Sequence, residues 1–248
     1  MRLRALLIGL CGSALLSACV SRQQIAQMSD EQFKQMREQV PISESVADRA
    51  FVDCVAQAIV AELEPPYSEY NWDLEVFSNE AVNAFAMPGG KIGVYDGIFT
   101  TATNQDQLAA VIGHEVAHVT RDHSLDRANR DTLAGVALIG VEIAGGDTMA
   151  KSAAMGADLL VLKPYGRGQE SEADIVGLVY MAKAGFNPDA SVELWRNMSK
   201  QGGEAPPEWM STHPSDTTRI NALQAELVKV QSHYEAARAA GKRPNCTR

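Results

Sequence analysis

Residues 111–123 read VIGHEVAHVTRDH, and no other stretch restricts the fold as strongly. His114 and His118 stand four positions apart. On an α-helix turning about 100° per residue they lie about 40° apart on one face, so both imidazoles can reach one ion. Glu115 sits beside that face, where its carboxylate can act on a water as general base without ligating the ion. The motif therefore asks for a helix here and for a third ligand from elsewhere in the chain.

The candidates for that ligand are His123, the acids beyond position 118, and His213. His123 follows His118 by five residues and points about 140° away from it, which excludes it if the helix is regular. A third-histidine spacing of the metzincin kind also fails, because Ser124 and Arg121 occupy the positions its histidine and glycine would need. Downstream, RGQESEADIVGLVYMAKAGFNP has the pattern of a second helix, with Ile175, Leu178 and Val179 on an apolar face and Glu170 one turn before Asp174. Glu170 is placed to ligate. Asp174 sits just behind it, where it can accept the remaining ring N–H of His114, as carboxylates commonly do for metal-bound imidazoles.

The start of the chain indicates where this chemistry operates. MRLRALLIGLCGSALLSAC has two arginines, an apolar run from Ala5 to Leu16 and then small residues. That run is too short to cross a bilayer and has the layout of a secretory signal, here residues 1–18. Leu16-Ser17-Ala18-Cys19 is similar to a bacterial lipobox, which would make Cys19 the acylated first residue of the mature chain. Val20 stands where an aspartate would favour inner-membrane retention, so the periplasmic face of the outer membrane is the expected location. Export leaves Cys54 and Cys246 in an oxidising compartment. There they either pair, which in the chain-entropy model is worth roughly 4 to 5 kcal/mol, or remain two thiols.

Removing the signal with Arg2 and Arg4 takes the formal charge from −9 to −11, which makes the chain a poor nucleic-acid binder. Residues 19–43 are polar and helix-prone and read as a lipidated tether or a first surface helix; 44–248 form one domain. Val46, Ala50, Val55 and Ile59 indicate a helix between Ser43 and Leu63, stopped by Pro65-Pro66. Trp72, Leu74 and Val76 alternate as in a half-buried strand, and two further strand-like runs flank the turn signal Pro88-Gly89-Gly90. Thr103 can cap the motif helix, which the pattern runs from Gln107 to Arg121. The order of elements defines an α+β domain. The apolar, glycine-broken stretch 131–168 reads either as core helices or partly as a mobile cover over the site.

HEVAH, then ESEAD on a later helix, then STHPSDTTRI resemble, over about residues 44–240, the zinc metallopeptidase family that includes HtpX, the mitochondrial Oma-type proteases and the CAAX prenyl endopeptidases. The lipobox and the short chain are most similar to its periplasmic lipoprotein branch, the LoiP and BepA type. This resemblance implies a zincin-like fold, mainly helical, with a small sheet whose edge strand faces the active-site cleft. It implies one zinc ion on His114, His118 and Glu170, with Glu115 as base and Asp174 in support. Asn83, Ala84, Phe85, Ala86, Met87 and Pro88 would form the edge strand that pairs with substrate backbone. Pro214 with Ser215 or Asp216 would start a helix through Ile220, Leu223 and Leu227. His213 would either hydrogen-bond the developing oxyanion or occupy the open position of the zinc at rest, while Arg219 would stabilise charge or orient a carboxylate. The implied activity is that of a zinc-dependent endopeptidase of the gluzincin type, with polypeptide substrates and a membrane contact through Cys19. The alternatives are a zinc-retaining chaperone or assembly factor at the outer membrane, and a zinc amidase acting on cell-wall peptides.

Overall fold

The computed structural model describes residues 19–142, 166–201, 213 and 217–248. Ser21 opens the first helix, α1 (Arg22–Gln39): its hydroxyl accepts from the Gln24 backbone N–H, and the Gln24 side chain accepts in return from the Ser21 N–H. Two amides that a helix start leaves without partners are thereby satisfied. Ile25, Ser29 and Phe33 recur every four residues and are buried, and the Phe33 ring meets Phe77 and Phe85 edge-on. Of the two expectations for residues 19–43, the structure has the helix, packed through one face. Behind it α2 (Val46–Val60) begins at Ser45, whose side chain accepts from the Asp48 N–H, and it ends short of Pro65-Pro66.

Three short strands follow: β1 (Asp73–Phe77), β2 (Ala84–Met87) and β3 (Lys91–Tyr95). The order is β1-β3-β2, with β1 parallel and β2 antiparallel to β3. Gly89 and Gly90, at φ of 84° and 82°, make the turn between β2 and β3 in a backbone region that other residues seldom enter. Side chains alternate across the sheet. Val76, Ala84, Ala86, Ile92 and Val94 join the main core with α2, whereas Phe77, Phe85, Met87 and Tyr95 close over Phe33 of α1. The outer side of β1 is covered by the segment before α2, through an Ile42–Phe77 bridge and a hydrogen bond from the Ser43 N–H to the Val76 carbonyl. β2 is the other edge, and among the described residues no strand pairs with its outer side.

The motif helix, α3 (Gln105–Thr120), starts two residues earlier than the apolar spacing indicates, and Asn104, not Thr103, caps it. Asn104 Oδ1 accepts from the Asp106 and Gln107 amides, while the Thr103 amide and hydroxyl both reach Gln107 Oε1. The remaining helices are α4 (His123–Glu142), α5 (Arg167–Lys183), α6 (Ala190–Gln201) and α7 (Thr217–Ala239). α3 is the axis of the domain, with α2, β2, α5 and α6 packed around it. Its crossing with α5 is made by two glycines: a Cβ on Gly113 would come within 2.8 Å of the Gly177 carbonyl oxygen, and a Cβ on Gly177 within 2.7 Å of the Gly113 carbonyl carbon. No larger residue permits that approach, and it brings the start of α5 to the histidines of α3. On α5, Leu178 is buried as expected, but Ala173, Met181 and Ala182 complete the inward face, with Ile175 and Val179 half-buried.

The result is an α+β, zincin-like fold, with seven helices and a three-stranded sheet among the described residues. Cys54 on α2 is disulfide-bonded to Cys246, and the Cys246 N–H donates to Gln105 Oε1, so the chain end lies across α2 and the start of α3. Cys19 is exposed, and Val20 beside it is held by Asn129 of α4 through two backbone contacts. Among the described residues no helix is long and apolar enough to cross a membrane. The signal at 1–18, the helix start at 214–216 and most of the stretch 131–168, namely 143–165, lie outside the described residues.

Candidate metal centre

His114, Glu115 and His118 are all buried on α3, against the first turns of α5 and His213. One donor atom from each of His114, His118, Glu170 and His213 lies within 4.8 Å of the other three. His118 Nε2 is 3.0 Å from His114 Nε2, and His213 Nδ1 is 3.2 Å from His114 Nε2 and 3.1 Å from Glu170 Oε1. Glu115 stands outside this group, with Oε1 3.4 Å from His213 Nε2.

A second set of contacts fixes these side chains. His114 Nδ1 donates to Asp174 Oδ1 at 3.0 Å. Arg219 grips Asp174 with two bonds of 2.7 and 2.8 Å and reaches Glu170 Oε2 at 2.8 Å, its guanidinium lying 4.2 Å from the centroid of the Trp195 ring. Behind His118 the helix does not continue regularly. Asp122 adopts a φ of 54°, α3 has ended, and α4 begins at His123, whose Nδ1 comes back to 2.9 Å from His118 Nδ1. His123 thus stands outside the four-donor group but touches one member of it. The premise of a regular helix hid this contact. The signal for it is Asp122, one of the few residue types that enters the left-handed region readily.

The electrostatics follow from burial and pairing. Burial works against the charged form of Asp174, yet hydrogen bonds from Arg219 and His114 hold its carboxyl below the usual range. Glu170 is likewise lowered, with burial opposed by the hydrogen bond and charge of His213 and by the charges of His114 and Arg219. His114 is raised, because contact with Asp174 and the charges of Glu170 and Glu115 outweigh its desolvation. His118 is held well below the ordinary imidazole value by burial and by its histidine neighbours. Two buried carboxylates, Glu170 and Asp174, are therefore held in the charged form beside the imidazoles, and Arg219 contacts both. Buried anionic charge of this kind needs a compensating cation. A donor set of imidazole nitrogens and one carboxylate oxygen suits zinc, so these residues fit a zinc ion.

A helix-borne H-E-x-x-H pair, joined by a glutamate from a later helix, defines a class of metallohydrolase site. Residues 47–227 match Peptidase family M48, and the chain belongs to that family. It is 33% identical over 172 residues to the mitochondrial metalloendopeptidase OMA1 of Schizosaccharomyces pombe, a match that covers 68% of this chain and 51% of that protein. Against the human metalloendopeptidase OMA1 the identity is 33% over 172 residues, covering 64% and 33%. Against the beta-barrel assembly-enhancing protease of Escherichia coli it is 28% over 232 residues, covering 86% and 47%. The chain spans about half the length, or less, of these relatives.

Proposed function

We propose that this chain is a zinc-dependent endopeptidase of the bacterial periplasm, anchored to the outer membrane through lipid on Cys19, which cleaves unfolded or misassembled envelope polypeptides. The observation that carries the reading is Glu115: a buried carboxylate beside three candidate ligands that does not belong to the donor group. A structural metal site has no use for such a group. The kinship with proteins named metalloendopeptidase and beta-barrel assembly-enhancing protease supports it.

His114, His118 and Glu170 would hold the zinc, one ion per chain. Once bound, the ion would supply Lewis acidity to a water and to the scissile carbonyl. Glu115 accepts the proton of the attacking water and delivers it to the leaving amine. Asp174 keeps the Nδ1 proton on His114, so that its Nε2 presents a lone pair, and Arg219 fixes both Asp174 and Glu170. Extended substrate adds to the outer side of β2, within Asn83 to Pro88. The Tyr95 N–H donates to the Asn83 carbonyl, so in this antiparallel ladder the backbone groups of Asn83, Phe85 and Met87 face β3 and those of Ala84 and Ala86 face outward. Recognition by main-chain pairing selects extended chain with little preference for side chains.

Chelation should stop cleavage of an unfolded protein by the detergent-solubilised chain, and one equivalent of zinc should restore it. Cleavage indifferent to chelators would remove the proposed mechanism. For the anchor, Cys19→Ser is expected to release the protein from outer-membrane fractions; a variant that stays there shows a different attachment.

His213 favours a resting state in which it closes the site as a fourth ligand, since its Nδ1 lies as near to Glu170 and His114 as the other donors do. On that reading His213→Ala raises basal proteolysis severalfold and opens the site to small chelating inhibitors. If His213 instead donates to the oxyanion, the same change lowers turnover by about a hundredfold or more with zinc affinity intact. The four-donor closure also gives substance to the second reading, a zinc-retaining chaperone or assembly factor: no proteolysis from either wild type or His213→Ala would support it.

A further inference from the structure

The two histidines of α3, His114 and His118, each have a partner on the far nitrogen, and the two partners differ in kind. His114 has a buried carboxylate, Asp174, clamped by Arg219. His118 turns Nε2 towards the donor group, 3.5 Å from Glu170 Oε1, and turns Nδ1 to another imidazole, His123 Nδ1 at 2.9 Å. Beyond it, His123 Nε2 lies 3.4 Å from Glu172 Oε2, and the Gln169 side chain reaches the His123 carbonyl at 3.5 Å. Glu172 is half-exposed and paired with Arg121. The left-handed Asp122 makes this arrangement possible, because it ends α3 and lets α4 start with His123 folded back on His118.

We infer that His123 is a positioning residue for His118, accepting the His118 Nδ1–H and thereby holding the His118 Nε2 lone pair on the metal, as the middle member of a His118–His123–Glu172 relay. The inference rests on the proposed zinc site. Two imidazole nitrogens at 2.9 Å need one proton between them. For Nε2 of His118 to ligate, its proton must lie on Nδ1 and be donated to His123. His123 then carries its own proton on Nε2, where it faces the Glu172 carboxylate. The tautomers of both rings follow from the position of one carboxylate at the surface. His118 also gains a neutral acceptor in place of the charged one that serves His114. The packing of α4 against α3 alone would require neither a nitrogen at this position nor a particular tautomer.

Zinc affinity, measured by competition with a chelator on the full chain in detergent, tests this with His123→Leu and His123→Asn. The leucine fills space without an acceptor; the asparagine offers an oxygen at about the place of Nδ1. Loss of an outer partner commonly weakens metal binding by ten- to a hundredfold. His123→Leu should fall in that range, and His123→Asn should stay within about threefold of wild type. Wild-type affinity in the leucine variant, or equal loss in both, would overturn the inference. Should the leucine variant fail to fold, nitrogen NMR of the zinc-loaded wild type reads the tautomers directly: His118 protonated on Nδ1 and His123 on Nε2. Any other assignment defeats the relay. A wild-type chain that takes up no zinc would overturn the proposed function and the relay together, whereas zinc binding with the wrong tautomers overturns the relay alone.

Discussion

Glu115→Gln is expected to lower the rate of peptide-bond cleavage by about a hundred- to ten-thousandfold while the protein keeps one zinc per chain. Glutamine has the size of glutamate and can still share hydrogen bonds with its surroundings, so the packing of this buried position beside His213 is preserved. It cannot take a proton from water and return it to an amine. The candidate ligands are other residues, His114, His118, Glu170 and His213, so metal content should not change. Turnover of an unfolded protein and zinc stoichiometry, measured on the same preparation, check both halves. Proteolysis at the wild-type rate would exclude Glu115 as the base. Loss of activity together with loss of zinc would mean that Glu115 holds the ion.

The parts of this site that share one helix are legible in the sequence, because helical geometry converts spacing directly into direction. His114, Glu115 and His118 fall on α3, and Glu170 and Asp174 one turn apart on α5, as that reasoning requires. What spacing does not carry is how one helix meets another. The contact between His114 and Asp174 spans 60 residues of chain and depends on Gly113 lying against Gly177, two glycines that read in the sequence only as weak points in good helices. His123 escaped for a related reason. Its spacing points it away from His118 only on a helix that continues, and a single left-handed residue, Asp122, redirects it onto His118. The ends of α3 were legible to within two residues, whereas α2 falls three residues short of the expected limits, Ser43 and Leu63, at each end. At α3 the two neighbours Thr103 and Asn104 are both capable caps, and Asn104 wins with its side-chain oxygen accepting two amides at once. Over 19–43 the polar composition left tether and helix open, and three buried positions on one stripe, Ile25, Ser29 and Phe33, are enough to seat the helix.

The largest effect on stability should come from Arg219. Its guanidinium is buried between α7, α5 and α6, bonded twice to Asp174 and once to Glu170, and stacked over Trp195. Arg219→Met keeps most of the apolar stem and removes the charge, which strands two buried carboxylates. Breaking a buried pair from one side costs about 3 to 5 kcal/mol, and here it leaves the two carboxylates with only their imidazole contacts, Asp174 to His114 and Glu170 to His213. Urea unfolding of the metal-free protein should register that loss. Arg219→Lys should recover little of it: an ammonium cannot bond both oxygens of Asp174 in a fork, reach Glu170 and lie flat on an indole at the same time. The deficit should shrink when zinc is added, since a divalent cation at the neighbouring donors offsets part of the same negative charge. A loss of less than about 1 kcal/mol in the metal-free protein would mean that Asp174 or Glu170 takes up a proton when Arg219 is removed, and that the arginine orients these groups without being needed to neutralise them.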